Sequence, residues 1–115
     1  MTNRLEIKVA SDFTLSPGPR YISEGLHSGE AFREEVLKHK IALAIKNNWK
    51  LVIDLDNTSG YGTSFLEEAF GGLIRHNGFN ISDILAHLEI ISVEEDYLVD
   101  DIKSYLEKAK PVKRG

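Results

Sequence analysis

Residues 51–75 are the stretch of this chain that most restricts its fold. An apolar run from Leu51 to Leu55 is followed by small polar residues, and a helical pattern begins near Phe65. This order predicts a buried strand, a turn and a helix, which is the building unit of an open α/β sheet. In such sheets the carboxyl ends of strands and the amino ends of helices form one edge, where sites are built. We therefore expect four polar residues near that edge: Asp54, Asp56, Thr63 and Ser64.

Further strand and helix patterns lie on both sides of this stretch. Strands are predicted around Leu5 to Val9, at Tyr21-Ile22, from Trp49 to Leu55 and over residues 88–91. The first two are expected to pair as an antiparallel hairpin, and the apolar third strand is expected to be central. The predicted fold is a small mixed, mostly parallel sheet of four to five strands, packed with three to four helices.

Helix signals complete this expectation. Ser28 is a candidate cap for a helix that ends near Asn47, and Asn77-Gly78 ends the helix that begins near Phe65. Residues 81–87 are predicted as a short helical turn. A final helix through Lys108 is predicted to bury one face, which carries Leu98, Ile102, Tyr105, Leu106 and Ala109.

Composition limits the classes of function. A length of 115 residues with 42% hydrophobic content suits one domain, predicted over residues 1–109 with a basic tail at 110–115. A formal net charge of −4 predicts no nucleic-acid partner, because phosphate binding needs a clustered basic face. The chain has no cysteine, which excludes disulfides and thiolate chemistry. No apolar signal core or 18-residue apolar run occurs, so we expect a cytoplasmic protein without membrane contact.

One enzymatic interpretation comes from Asp54-Leu55-Asp56-Asn57-Thr58. A strand that ends in this pattern resembles the signature of the haloacid dehalogenase superfamily, which implies Mg²⁺, a nucleophilic Asp54 and Asp56 as acid/base. Residues 66–115 are, however, a short stretch to follow such a motif, and Asp100-Asp101 falls on the solvated side of the last helix. We keep this Mg²⁺-dependent phosphatase as the alternative to the interpretation that follows.

A broader resemblance spans residues 13–75. Three segments contribute to it: Pro17-Gly18-Pro19-Arg20, Ser28-Gly29-Glu30-Ala31-Phe32-Arg33, and Ser64-Phe65-Leu66-Glu67-Glu68-Ala69-Phe70-Gly71-Gly72-Leu73-Ile74-Arg75. Here the sequence resembles the STAS-like family, small prokaryotic domains named for sulphate transporter and anti-sigma factor antagonist domains. Much of that family has no assigned activity. The resemblance implies a regulatory module that binds protein, with no catalytic activity, metal or cofactor of its own.

The resemblance also implies a site of phosphorylation. In anti-sigma factor antagonists, a kinase-type anti-sigma factor phosphorylates a Ser or Thr at the start of the corresponding helix. With Leu66 and Gly71 in register, that position falls on Thr63, and Ser64 follows it. The implied partner is a histidine-kinase-like ATPase or an anti-sigma-type kinase, and a homodimer is a further possibility.

Local chemistry offers structural roles for the same residues. Ser64-Phe65-Leu66-Glu67 has the pattern of a capping box, so Ser64 is expected to cap the helix and Thr63 is the preferred switch residue. The predicted partner surface comprises Ser59, Gly60, Tyr61, Gly62, Glu67 and Glu68. Asp54 and Asp56 are expected to structure the loop through hydrogen bonds. Arg20 is expected to fix its own segment by pairing with an acidic residue.

Two helix patterns carry structural expectations. Gly71-Gly72 is unfavourable inside a helix by about 1 kcal/mol per glycine, which predicts a close approach by a neighbouring element. In the helix after Ser28, one apolar stripe comprises Phe32, Val36 and Leu43, and a second comprises Leu37, Ile41 and Ala44. One sheet does not readily bury both stripes. The less buried stripe is therefore predicted to meet a partner or a second copy, unless the helix breaks near Lys38-His39-Lys40.

Overall fold

The computed structural model describes residues 3–111, which form a three-stranded parallel sheet and five helices. The strands are β1 (Arg4–Lys8), β2 (Lys50–Asp54) and β3 (Leu88–Ile91), and they lie side by side in that order. β2 is the central strand, as its apolar run predicts, and it pairs in parallel with both neighbours. Because the strands are parallel, the carboxyl ends of all three lie at the same edge of the sheet.

The helices are α1 (Val9–Asp12), α2 (residues 29–47), α3 (residues 63–75), α4 (Ile81–His87) and α5 (Leu98–Lys108). Ser28 caps α2 by accepting a hydrogen bond from the Ala31 N–H, at 3.0 Å. In α5 the predicted face is turned inward, with Leu98, Ile102 and Leu106 buried. None of the helices in residues 3–111 has the length and apolar character needed to cross a membrane.

The core lies on one face of the sheet. Leu5, Leu51 and Leu88 are aligned across the three strands, and so are Ile7, Ile53 and Ile90. These side chains pack against the buried residues of the helices. The alternate positions Glu6 and Glu89 are exposed and flank Val52 on the other face. The period-two pattern of β1 therefore reports correctly which face meets the core.

The predicted hairpin strand at Tyr21-Ile22 is wrong, and so is the antiparallel pairing of the first two strands. Ile22–Glu24 is a turn of 3₁₀ helix. The Tyr21 N–H donates to the Glu24 carboxylate and the Ile22 N–H donates to that of Glu30, each at 2.9 Å. Because side chains satisfy these backbone groups, they are not available to a sheet, and four to five strands are not found in residues 3–111.

A π turn joins the two apolar stripes of α2. The Lys38 N–H donates to the carbonyl of Arg33, five residues back, and the π segment covers Arg33–Leu37. The extra residue brings Phe32 into line with Leu37, and both side chains have no exposed surface. The helix does not break near residues 38–40. The stripe of Phe32, Val36 and Leu43 is the less buried of the two, and only Leu43 in it is well exposed, so α2 offers no continuous apolar stripe to a partner.

Residues 109–111 follow α5, at the start of the predicted basic tail. Ala109 ends the helix in an extended conformation, and Lys110 and Pro111 are exposed. The rest of the predicted tail, residues 112–115, lies outside the described residues.

Candidate functional site

Two aspartates join the loops at the carboxyl edge of the sheet. Asp54 accepts the N–H of Asp56 at 2.9 Å. The carboxylate of Asp56 accepts the N–H groups of Val93 and Glu94, at 3.0 and 2.9 Å, and so ties the loop after β2 to the loop after β3. These hydrogen bonds are of the kind expected of residues that structure the loop. The carboxylate of Asp56 is used to hold backbone amides.

Contacts within the loop of residues 55–62 and with its neighbours hold this loop in place. The Tyr61 hydroxyl donates to the Leu55 carbonyl at 2.8 Å, and its ring lies 5.7 Å from that of Phe65. Burial raises the pKa of the Tyr61 phenol well above its ordinary value. The Ser59 N–H donates to the carbonyl of Leu15 at 2.8 Å. Tyr61 is therefore a half-buried anchor of this loop, while Ser59 and Gly62 are exposed.

The start of α3 differs from the predicted capping box. The residue before the helix is Gly62, Thr63 is the first helical residue, and no side chain caps this end. Ser64 does not occupy the cap position, and the carboxylate of Glu67 bonds to Arg20 and Arg75 instead of reaching back to a backbone amide. Thr63 and Ser64 are both exposed. The capping prediction for Ser64 is therefore wrong, because the helix begins one residue earlier, at Thr63, and Gly62 takes the cap position.

A buried ion pair connects α2 with α3. The Arg33 Nη1 atom donates to the Glu68 carboxylate at 2.6 Å and to the Glu68 carbonyl at 2.8 Å. The two side chains are 4% and 2% exposed. Glu68 therefore cannot belong to the predicted partner surface, and that part of the prediction is wrong. Gly72 makes the pair sterically feasible, because a Cβ there would lie 2.1 Å from Arg33 Nη1.

Two further arginines enclose the buried pair. Arg20 contacts Glu67 at 2.5 Å and Glu68 at 3.4 Å, and Arg75 contacts the same two carboxylates at 2.9 and 3.1 Å. Burial alone would raise the pKa of Glu67, but hydrogen bonds from Arg75 and Arg20 outweigh it and hold the pKa below its ordinary value. We call Arg20, Arg33, Glu67, Glu68 and Arg75 the arginine–glutamate cluster. Arg20 thus pairs with acidic residues, as its predicted role requires.

Sequence reasoning identified some members of this cluster and missed others. Arg20, Glu67 and Glu68 were singled out, whereas Arg33 and Arg75 carry no local signal of a shared site because they are 42 residues apart. The sequence feature that points to the cluster is Gly71-Gly72, which predicts close packing at this part of α3. The expected close approach at these glycines occurs at Gly72, and the approaching group is the Arg33 guanidinium.

The geometry gives no support to the phosphatase alternative. Asp56 binds backbone amides, and Asp100 and Asp101 lie in α5. Across residues 3–111, no three His, Asp or Glu side chains are grouped so that they could hold a metal ion. Whether Asp54 accepts a phosphoryl group remains a prediction, and we expect that it does not.

The comparison with protein families agrees with the resemblance. The family model described as "STAS-like domain of unknown function (DUF4325)" matches residues 28–98, from the cap of α2 to the first residue of α5. The chain has no significant match among curated proteins. It has none among solved structures either. Because the matched segment covers more than half of the chain and includes β2, α3 and β3, the chain belongs to the family of STAS-like domains of unknown function.

Proposed function

We propose that this domain is a regulatory protein-binding module whose contact surface is the start of α3, and that phosphorylation of Thr63 controls it. The proposal rests on the exposure of Thr63 and on the absence of a side-chain cap at the start of α3. Thr63 is the first helical residue, is exposed and has no capping side chain in front of it. Its hydroxyl is therefore accessible to a kinase, in a position that corresponds to the phosphorylated residue of anti-sigma factor antagonists.

The backbone favours a phosphate at this position. The first amide groups of a helix have no partner within the helix, and they lie at the positive end of its dipole. A phosphate beside them gains about 0.3–1 kcal/mol when exposed. The family resemblance suggests phosphorylation at this position, and the free amide groups at the uncapped start of α3 favour a bound phosphate there.

The neighbouring carboxylates oppose a phosphate less than the sequence suggests. Glu67 and Glu68 follow Thr63 by four and five residues and carry two negative charges. In the arginine–glutamate cluster they face three guanidinium groups, those of Arg20, Arg33 and Arg75. Paired in this way, they add little repulsion to a phosphate at the helix start.

The partner surface is narrower than the sequence alone suggests. Ser59, Gly62, Thr63 and Ser64 are exposed, and Gly60 and Tyr61 are partly covered. Glu67 is held by Arg20 and Arg75, and Glu68 is buried. We place the contact on the exposed loop and the first turn of α3. The partner class that the resemblance suggests is a histidine-kinase-like ATPase or an anti-sigma-type kinase.

Mass spectrometry tests the modification directly. The protein is incubated with ATP and a cognate kinase-type partner, and peptides that contain residues 63 and 64 are sequenced. We expect one phosphate on Thr63 in the wild type and none in Thr63→Ala. Ser82 is a matched control, because it too is exposed near a helix start but lies beside the Asn80 cap, whose side chain accepts the Ser82 N–H. Absence of phosphate from both residue 63 and residue 64 would contradict the phospho-switch and leave a constitutive binding module.

A further inference from the structure

A second surface of this molecule carries exposed apolar side chains. Four large apolar residues between positions 15 and 26 are 44–82% exposed, namely Leu15, Tyr21, Ile22 and Leu26. Single exposed apolar residues are ordinary, whereas apolar residues that share one surface mark contact sites, and Ile22 and Leu26 line the same cleft. This segment lies between α1 and α2. Its Leu15 carbonyl contacts the loop of residues 55–62, but the cleft described next has no lining residue from that loop.

An open cleft accompanies these residues. It has a volume of about 570 Å³ and lies between the segment 22–27, the ring of Phe13 and the first two turns of α2. Its apolar walls are Phe13, Ile22, Leu26 and Ala31. Ile22 is 55% exposed and Leu26 82% exposed, so the cleft is walled by side chains that are themselves largely in solvent.

The segment is held in one shape by its backbone. The Gly18 N–H donates to the His27 carbonyl and the Gly29 N–H donates to the Pro19 carbonyl, each at 2.9 Å. These bonds close residues 18–29 into a compact loop, which we call the 18–29 loop. Arg20 fastens this loop to Glu67 of α3. The apolar side chains are thus presented by a fixed backbone, which lowers the entropic cost of binding.

The rim of the cleft is acidic. Glu24 and Glu35 line it, and the lining residues include no lysine or arginine. Glu24 uses one carboxylate oxygen to accept the Tyr21 N–H. Glu35 is exposed and makes no ion pair with another of the residues 3–111. An occupant that brings positive charge would therefore find carboxylates that are not already neutralised.

We infer that the cleft binds a segment of a partner protein that inserts an apolar side chain between Ile22 and Leu26 and places lysine or arginine beside Glu24 and Glu35. A small ligand is less suited, because small-ligand sites enclose most of the ligand surface and these walls are open. A second copy is also less suited, because a chain with a net charge of −4 brings like charge to an acidic rim.

This surface is separate from the proposed switch, although the two are physically connected. The Phe13 ring of the cleft lies 5.3 Å from that of Phe32 and 6.4 Å from that of Phe65 at the start of α3. The inference does not depend on phosphorylation of Thr63. Its test uses the unphosphorylated protein. A negative result at the cleft therefore does not bear on Thr63, and a negative result at Thr63 does not bear on the cleft.

The experiment selects ligands without assuming their sequence. Random dodecapeptides displayed on phage are selected on the wild-type protein and counter-selected on Leu26→Asp. We expect the selected peptides to share one or two large apolar residues flanked by lysine or arginine. A synthetic peptide of that consensus should shift the amide signals of Ser23, Gly25 and Leu26 in ¹H–¹⁵N spectra. Leu26→Asp should weaken its binding at least about tenfold, as truncation of an interface anchor does.

Two variants make this result specific. Leu43→Asp is the matched control, because Leu43 is another exposed leucine but lies outside the cleft, and it should bind the peptide like the wild type. Glu35→Lys should weaken the basic peptide and strengthen a version whose lysines are replaced by glutamate. Failure to select any peptide that distinguishes the wild type from Leu26→Asp would overturn the inference. So would equal binding of the basic and acidic peptides, or a dimer of the free protein that Leu26→Asp abolishes.

Discussion

The exposed start of α3 and the buried ion pair in its next turn differ in solvent exposure and in hydrogen bonding. Thr63 and Ser64 are exposed and uncapped, whereas Glu68, one turn later, is 1% exposed and bonded to Arg33. The exposed side chains of the first turn contribute little to the stability of the domain, although the same turn also buries two apolar side chains in the core. The second turn ties α3 to α2 and to the 18–29 loop. A modification at the first turn can therefore change the surface while the fold stays intact. The predictions below test this division.

The largest expected effect comes from removing one partner of the buried pair. Glu68→Gln removes the buried carboxylate that pairs with Arg33 and leaves it only the partly exposed Glu34, at 3.2 Å from Nε. Loss of a buried partner costs about 3–5 kcal/mol of unfolding free energy in comparable pairs, and the remaining ion pair puts the expected loss at the lower end of that range. Urea unfolding followed by circular dichroism measures the change. Glu67→Gln is the control, because Glu67 is about a quarter exposed and should cost clearly less. Equal losses in the two variants would break the distinction between buried and surface members of the cluster.

Gly72 provides the next largest effect. A Cβ at this position would lie 2.1 Å from Nη1 and 2.8 Å from Cζ of Arg33, so Gly72→Ala must displace the buried guanidinium. We expect a net loss of about 1–3 kcal/mol despite the better helix propensity of alanine. Gly71→Ala is the matched control, because its Cβ would meet mainly the end of the Glu67 side chain, which can move. A stabilised Gly72→Ala protein would show that Arg33 does not need this space.

Helix caps give a smaller and more local effect. Ser28 is buried and accepts the Ala31 N–H, so Ser28→Ala should cost about 1 kcal/mol as a lost cap. Ser64→Ala should change stability by less than about 0.5 kcal/mol, since Ser64 is exposed and caps nothing. Paired thermal melts of the two variants measure the difference. A loss at Ser64 as large as that at Ser28 would restore the capping box that the sequence suggests.

The smallest expected stability effect depends on pH. Hydrogen bonds from Lys38 and Asn77 lower the pKa of Glu34 to about 2. A carboxyl with a lowered native pKa stabilises the fold above its unfolded pKa of 4.5, and this contribution is lost as the pH falls from there toward 2. Because Glu34 is one-third exposed, the contribution should stay under about 1 kcal/mol. Glu34→Gln should reduce the acid-induced loss of stability between pH 4.5 and 2 in urea titrations; an unchanged pH profile would contradict this assignment.

Local patterns predict the elements of this fold well where hydrophobic burial decides the structure. The apolar run of β2, the alternation in β1 and the inward face of α5 all report burial directly, and the structure agrees with each. The Ser28 cap is also a local interaction, so the sequence signal suffices. Residues 88–91 form a strand with the predicted bounds.

Tertiary contacts explain what the sequence does not reveal. Tyr21-Ile22 has strand propensity, but the carboxylates of Glu24 and Glu30 take its amide groups. The π turn in α2 adjusts the helix to a core that spacing alone does not describe. The predicted capping box at Ser64 fails because the helix begins at Thr63, and the Glu67 carboxylate meets Arg20, which lies 47 residues away in the chain. Side-chain contacts and core packing thus outweigh the strand or capping preference of the local sequence.

Complex formation by variants of Thr63 tests the central claim most directly. Thr63→Ala and Thr63→Glu are titrated with a cognate kinase-type partner, and their melting temperatures are recorded alongside, with Ser82→Glu as the charge-matched control. We predict melting temperatures within a few degrees of the wild type, since an exposed residue changes stability little. Thr63→Ala should keep the partner affinity of the unmodified protein, whereas Thr63→Glu should change it at least about tenfold and Ser82→Glu should not. Unchanged affinity in Thr63→Glu, or unfolding of that variant, would contradict a surface switch at the start of α3.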